Sequence, residues 1–275
     1  MNSWTGPADD GADLASPYAR HSGTLRGMLR HHLVDRALAQ HLSGQPQRVL
    51  DIGGGTGQQA RLLAARGHHL TIVDPDQAML DKARAAWAEY TAATGSSLGQ
   101  VCFLHGTGEQ APRLAGTGWD VVLCHGVLMY LQDPVPLLRA LAECVRPGGL
   151  VSVLAKQDTA LAMRPGLQRN WSGVVDALRT PVEHGRLGVE SRGVSREEVS
   201  GVLAEQGVHA VEWYGVRCFT DHLGDEPAGD DFAQILEAEW EAGRRDPYRR
   251  IARLFHLIAR ADPSGSRSCG KAPRR

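Results

Sequence analysis

Between Arg48 and Asp74 the chain reads RVLDIGGGTGQQARLLAARGHHLTIVD: an apolar run, four glycines in five positions, a helical segment, and a second apolar run closed by an aspartate. This sequence of features narrows the fold more than any other in the chain. Glycines let the backbone turn sharply from strand into helix, and their missing Cβ atoms let a nucleotide-like ligand lie against the main chain. The turn therefore points to a bound cofactor.

The same rhythm recurs downstream. QVCFLHG, WDVVLCHGV and GGLVSVLAK are short, nearly continuous apolar runs, as expected for strands of a parallel sheet covered on both faces. Between the strands, GQQARLLAARG, QAMLDKARAAWAEYTAATG and PVPLLRALAECVRPGG carry apolar residues at three- and four-residue spacing and close on Gly or Pro, which predicts crossover helices. The fold class is α/β, a doubly wound, mostly parallel, Rossmann-like sheet. From about 156 to 194 the alternation breaks, and a stretch this long predicts a helical insertion. Ser195 and Glu198 then form the pattern of a capping box. Beyond them, the strand HAVEWYGVRCF, the helix DDFAQILEAEWEAGR and a last strand RLFHLIAR bring the sheet to seven. Residues 1–16 and 262–275 are rich in Gly, Ser, Asp, Pro and Arg and are expected to be disordered tails of a domain spanning 17–261.

Composition excludes several roles. A net charge of -1 gives no global field to drive the chain onto nucleic acid or an acidic membrane, so any such binding is local. No run approaches the roughly 18 apolar residues of a spanning helix, and the N-terminus lacks the pattern of a secretory leader. Cys102, Cys124, Cys144, Cys218 and Cys269 show no C-x-x-C spacing, which suits a reduced, cytoplasmic setting and gives no metal site. His31-His32, His68-His69 and Trp171 likewise lack ligand spacing and are assigned to surface or packing.

Two cofactors compete for the turn. Gly55-Thr56-Gly57-Gln58-Gln59-Ala60 satisfies the dinucleotide fingerprint G-x-G-x-x-A, with Asp74 about 20 residues on as a ribose acceptor. An NAD-linked oxidoreductase is thus one reading. Against it, Asp51 stands two residues before the first glycine, where an anion repels a pyrophosphate. S-adenosylmethionine carries an ammonium, a sulfonium and a ribose but no phosphate, and suits a pair of carboxylates better.

VLDIGGGTGQQARLLAARGHHLTIVDPDQAMLDKAR, VLCHGVLMYLQDP and LLRALAECVRPGGLVSVL resemble, in order, the motifs of class I S-adenosylmethionine-dependent methyltransferases. A closer resemblance, to the bacterial tRNA carboxymethoxyuridine methyltransferases, extends to GTLRGMLR, GVRCFTDHL and DPYRRIARLFHLIARA. It implies a seven-stranded methyltransferase sheet. It also implies cofactor contacts at Arg30, at the glycine turn (Gly53, Gly54 and Gly55), at Asp74, at Gly108 and Glu109, and at His125. After the fifth strand the family favours an aromatic-asparagine pair, where this chain has Ala155-Lys156-Gln157, so the substrate wall is expected to differ. The implied acceptor is a carboxylate of a modified uridine in tRNA. A small anionic metabolite is the alternative, because the motifs fix the cofactor and leave the acceptor to the lid and flanks. The insertion carries Lys156, Arg164, Arg169, Arg179, Arg186, Arg192 and Arg196 against Asp158, Asp176, Glu183 and Glu190, a cationic excess suited to either acceptor. Arg217, in GVRCF, is a candidate clamp for the acceptor's anion.

Overall fold

The computed structural model describes residues 23–94, 99–184 and 190–263. The expected N-terminal tail, residues 264–275 of the expected C-terminal tail, Arg186 and Cys269 lie outside these. Helix α1 (Leu25–His41) leads into β1 (Arg48–Ile52), α2 (Gln58–Ala64), β2 (His69–Asp74), α3 (Gln77–Thr94), β3 (Val101–His105), α4 (Ala111–Leu114), β4 (Trp119–His125), α5 (Val135–Cys144) and β5 (Val145–Lys156). There follow α6 (Met163–Leu167), α7 (Trp171–Arg179), β6 (Val182–His184), β7 (Glu190–Arg192), α8 (Arg196–Glu205), β8 (Val208–Val216), α9 (Phe232–Gly243) and β9 (Leu254–Ala261).

The strands of the main sheet are buried on both faces, which is why they read as apolar runs rather than alternations. On one face Leu50, Ile52, Val122 and Cys124 pack with Leu137 and Leu141 of α5 and Leu203 of α8. On the other, Val49, Val121 and Leu123 pack with Leu29, Leu33 and Leu38 of α1 and Leu63 of α2. Each such leucine contributes about 1.5 to 3 kcal/mol relative to an exposed one. The Thr24 hydroxyl caps α1 by accepting the Gly27 N–H at 3.3 Å. Ser195 caps α8 likewise, accepting from the Glu198 N–H at 3.2 Å, while no reciprocal bond from the Glu198 side chain is seen. His68 and His69 are structural: their Nδ1 atoms accept the N–H groups of Gln47 and Gln100.

Seven strands form the sheet in the order β3-β2-β1-β4-β5-β9-β8, with β1 to β5 parallel and β9 reversed between β5 and β8. Two antiparallel pairings in succession turn β8 back to the direction of β1. Its last residue, Val216, therefore lies opposite Leu254, which itself pairs with Lys156 at the end of β5. The register brings Lys156, Arg253 and Arg217 to the same carboxyl edge as Gly53, Asp74 and His125. By the rule for open α/β sheets, ligands bind at that edge.

Two expectations are corrected. Among the described residues of 156–194 the helices end at Arg179, and β6 and β7 then pair antiparallel as a second small sheet. Their place is set by tertiary contacts that the local pattern does not carry: Lys156 Nζ donates to Glu183 at 3.0 Å and to Ser191 at 2.5 Å. The strand expected to run through Phe219 ends at Val216, because Arg217 adopts a left-handed φ of 64° that no strand can continue.

Candidate active site

The turn after β1 is held by its own backbone and by the end of β2. Gly53 N–H donates to the Val73 carbonyl at 2.7 Å and Gly55 N–H to Asp74 Oδ2 at 2.9 Å. Gly53, Gly55 and Gly57 all have positive φ (70°, 55° and 73°), but the glycines differ in what a side chain would meet. A Cβ on Gly53 would stand 2.2 Å from Val127 Cγ2, and one on Gly54 2.8 Å from Asp51 Oδ2, whereas a Cβ on Gly55 meets no atom within 4 Å. Gly53 and Gly54 are thus required by packing. Gly55 presents bare backbone to open space beside Asp74. At Gly108 a Cβ would strike Leu137 Cδ1 at 2.4 Å, so this glycine also serves packing, of α5 on β1.

Asp51 and Asp74 are both about 2% exposed, and the charge of Asp74 reaches Asp51. Burial, the Asp74 carboxylate and the opposing pull of Arg30 leave Asp51 pushed up to about 7. Burial likewise pushes Asp74 up to about 6, against the backbone N–H bonds from Asp76 and Gly55. Each Asp74 oxygen accepts one of those N–H groups at 2.9 Å, which leaves a lone pair on each for a further donor. A vicinal diol fits that vacancy in donor number, and a cationic ligand would relieve the paired carboxylates. The residues present fit S-adenosylmethionine.

Arg30, on α1, donates from Nη2 to the His125 carbonyl at 3.0 Å, and the same nitrogen would lie 2.9 Å from a Cβ on Gly126. His125 turns its ring inward, where Nε2 shares a 2.8 Å hydrogen bond with Ser152 Oγ, itself 2.7 Å from His256 Nε2. Burial holds both histidines well into the neutral range, His256 at about 3. At the site edge, therefore, it is the backbone of His125 that meets Arg30, while the ring belongs to the core. Glu109 is half-buried in the 3-10 turn after β3, and its charge reaches Cys124 next to His125.

Beyond Arg30 lies a feature that the sequence did not reveal. Arg26, one helical turn before Arg30, is buried and donates to the Asp221 carbonyl at 3.4 Å and to the Asp225 carboxylate. Arg217, Arg253 and Arg164 surround the Asp221 carboxylate at 3.3, 3.5 and 3.9 Å, yet among the described residues neither of its oxygens accepts a hydrogen bond and Arg217 Nε has no hydrogen-bond partner. Burial pushes Arg217 down to about 10 and also lowers Arg164 and Lys156. Burial would raise Asp221, but the four guanidiniums hold it below the usual carboxylate range. Among the described residues Asp225 pairs with Arg26 and Glu183 with Arg253, so four guanidiniums face three carboxylates, and Arg164 and Arg217 are left to share Asp221. Arg217, Arg253, Arg164 and Asp221 line one cleft, and the charges of both Arg30 and Arg26 reach Arg217.

This arrangement can be set beside known proteins. A model of the methyltransferase domain matches residues 50–153. The tRNA 5-carboxymethoxyuridine methyltransferase of Escherichia coli (strain K12) is 32% identical over 258 residues, covering 92% of this chain and 96% of that protein. The chain belongs to the S-adenosylmethionine-dependent methyltransferases. The ubiquinone biosynthesis O-methyltransferase of Aeromonas salmonicida (strain A449) is 31% identical over 165 residues, 57% of this chain and 66% of that one. Two solved structures share the fold. An S-adenosylmethionine-dependent methyltransferase from Mesorhizobium loti aligns with a TM-score of 0.55 at 17% identity, covering 87% of this chain and 99% of its own. The 1,6-didemethyltoxoflavin-N1-methyltransferase of Burkholderia thailandensis aligns with a TM-score of 0.53 at 18% identity, over 92% and 83%. The cofactor of this methyltransferase is accordingly S-adenosylmethionine, and the oxidoreductase reading falls. Among the described residues no helix is long and apolar enough to cross a membrane.

Two expected results test the acidic pair. Asp74→Ala in the methyltransferase removes an acceptor of two hydroxyls but also relieves a strained carboxylate. The net loss is expected at about 1.5 to 3 kcal/mol, roughly a ten- to hundredfold weaker Kd for S-adenosylhomocysteine by calorimetry. An unchanged Kd in the folded variant removes Asp74 from the site. The second concerns pH. Both folded-state values, about 7 and about 6, lie above the unfolded aspartate range near 4, so the folded protein holds protons that the unfolded chain has released. Their contribution to ligand-free stability is full below about pH 4 and declines as pH rises to about 7. If the ionised carboxylates hold S-adenosylmethionine, its affinity is expected to rise over the same interval. A ligand-induced shift in Tm that is flat from about pH 5 to 8 contradicts this.

Proposed function

We propose that the enzyme methylates the carboxylate of a modified uridine in tRNA. The observation that carries this reading is the cluster of buried Arg26, Arg217 and Arg253 with half-buried Arg164, at the carboxyl edge next to Arg30, in which Arg164 and Arg217 share the single carboxylate of Asp221. A buried cation cluster short of anions binds an incoming carboxylate, and guanidiniums replace its lost water with paired hydrogen bonds. The full-length likeness to a protein named for a carboxymethoxyuridine supports the same choice.

When bound, S-adenosylmethionine would supply an electrophilic methyl group for an acceptor oxygen, with its sulfur as the leaving group. The cofactor's place is assigned to Arg30, Gly53, Gly54, Gly55, Asp74, Gly108, Glu109 and His125. Of these, Gly55 and Asp74 offer direct contacts, Gly53, Gly54 and Gly108 shape the wall, and Arg30 fixes the backbone at His125. A carboxylate is ionised at neutral pH, so the protein has no proton to remove and contributes alignment and exclusion of water. An RNA acceptor agrees with the cytoplasmic expectation, and the four described cysteines are all free thiols.

The test incubates the enzyme and labelled cofactor with total tRNA or with a small-molecule extract. Label is expected in the tRNA, as a base-labile ester. Label confined to small molecules overturns the reading in favour of an anionic metabolite.

A further inference from the structure

Phe219 and Tyr248 are each 45% exposed, an unusual position for two large aromatic rings in contact with one another. Their centroids lie 5.9 Å apart at an interplanar angle of 63°, and Phe219 lines the cleft shared by Arg164, Arg217 and Arg253. Neither ring sits on a slack loop. Glu239, fully buried on α9, accepts the N–H groups of Cys218 at 2.5 Å, Phe219 at 3.0 Å and Thr220 at 2.9 Å, and the Thr220 hydroxyl at 2.7 Å. Gln157, buried after β5, donates from Nε2 to the carbonyls of Arg249, Arg250 and Ala252, at 3.2, 2.6 and 3.2 Å, and so anchors the turn that carries Tyr248. Two buried polar side chains thus mount two exposed rings at the edge of a cationic cleft. Met163 and Leu167, 36% and 53% exposed, add an apolar wall.

We propose that Phe219 and Tyr248 form the stacking platform for the acceptor's nucleobase, presented unpaired in a single-stranded RNA loop, while its acidic substituent reaches the guanidiniums behind the platform. The proposal rests on the acceptor reading above. A base whose substituent must enter a cleft has to leave its own stack, and an aromatic face replaces the lost stacking without regard to base identity. The carboxylate then meets the cations, so one ligand satisfies both the apolar and the charged surface. Selectivity follows: an acidic substituent without a base, or a base without one, engages half the site.

The experiment uses the full chain and an RNA hairpin with 5-carboxymethoxyuridine in its loop, with calorimetry of S-adenosylhomocysteine as the measure of an intact fold. Phe219→Ala and Tyr248→Ala are expected to raise KM for the hairpin about tenfold to a hundredfold, with kcat little changed and S-adenosylhomocysteine affinity as in wild type. Phe219→Trp restores KM. If wild-type enzyme labels the hairpin and the Phe219→Ala variant does so with unchanged KM, the platform is refuted and the acceptor reading stands. If wild-type enzyme fails to label it, the acceptor reading falls and the platform with it.

Discussion

Exchange of Arg217 for lysine is expected to lower kcat/KM for the acceptor by about 30- to 1,000-fold, equivalent to about 2 to 4 kcal/mol, with S-adenosylhomocysteine affinity retained. Arg217 is 8% exposed, its Nη2 lies 3.3 Å from Asp221 Oδ1 without hydrogen-bonding to it, and among the described residues Nε has no hydrogen-bond partner. An acceptor carboxylate would give Nε the partner it lacks. Lysine keeps the charge and tolerates the φ of 64° about as well as arginine, but presents a point charge in place of two parallel donors. Burial and the facing Arg253 and Arg26 already push Arg217 down, and the same surroundings would press harder on an ammonium, which neutralises more readily. A purely structural arginine predicts a different result: lowered Tm with both functions impaired together. Wild-type turnover in the lysine variant would eliminate the anion clamp.

The second large effect is expected at Gly53. Gly53→Val places a β-branched residue at φ 70°, a conformation costing an ordinary residue about 1 to 2 kcal/mol and a branched one more. Its Cβ would also lie 2.2 Å from Val127 Cγ2, so the segment after β4 must move, which adds about 1 to 3 kcal/mol. A loss of about 3 to 5 kcal/mol should appear as a Tm lowered by about 5 to 10 °C, with cofactor binding lost as the neighbouring Gly126 shifts from Arg30. The sequence suggests that a side chain here would occupy cofactor space. The structure changes that reason, because the obstruction is Val127. Gly55→Ala separates the two effects: with open space around its Cβ it should cost only about 1 to 2 kcal/mol of stability, yet obstruct the cofactor. Should Gly53→Val melt with wild type while Gly55→Ala binds normally, the crevice has been placed on the wrong side of the turn.

Much of this molecule follows from local pattern. Strands with both faces buried must be apolar throughout, helices crossing over them must be apolar on one side, and a glycine turn joining the two is visible without coordinates; hence β1 to β5, their helices, Gly53 to Gly55 and Asp74 were legible. The likeness of motifs supplied the cofactor, because the motifs that carry it lie close together in the chain, from the glycine turn to the end of β5. Tertiary structure alone decided the rest. The reversal of β9 sends β8 parallel to β5, and only that register sets Arg217 beside Arg253, with Arg26 and Arg164 arriving from α1 and α6. No local period or spacing links residues 26, 164, 217 and 253, since each is an unexceptional arginine in its own segment. The same holds for Glu239 and Gln157, whose worth lies in the distant backbone groups they satisfy. His125 shows the limit most plainly: its position at the end of β4 is written in the sequence, but the direction of its ring is set by Ser152 on the neighbouring strand, two residues before its paired Leu154, a register that only the assembled sheet fixes.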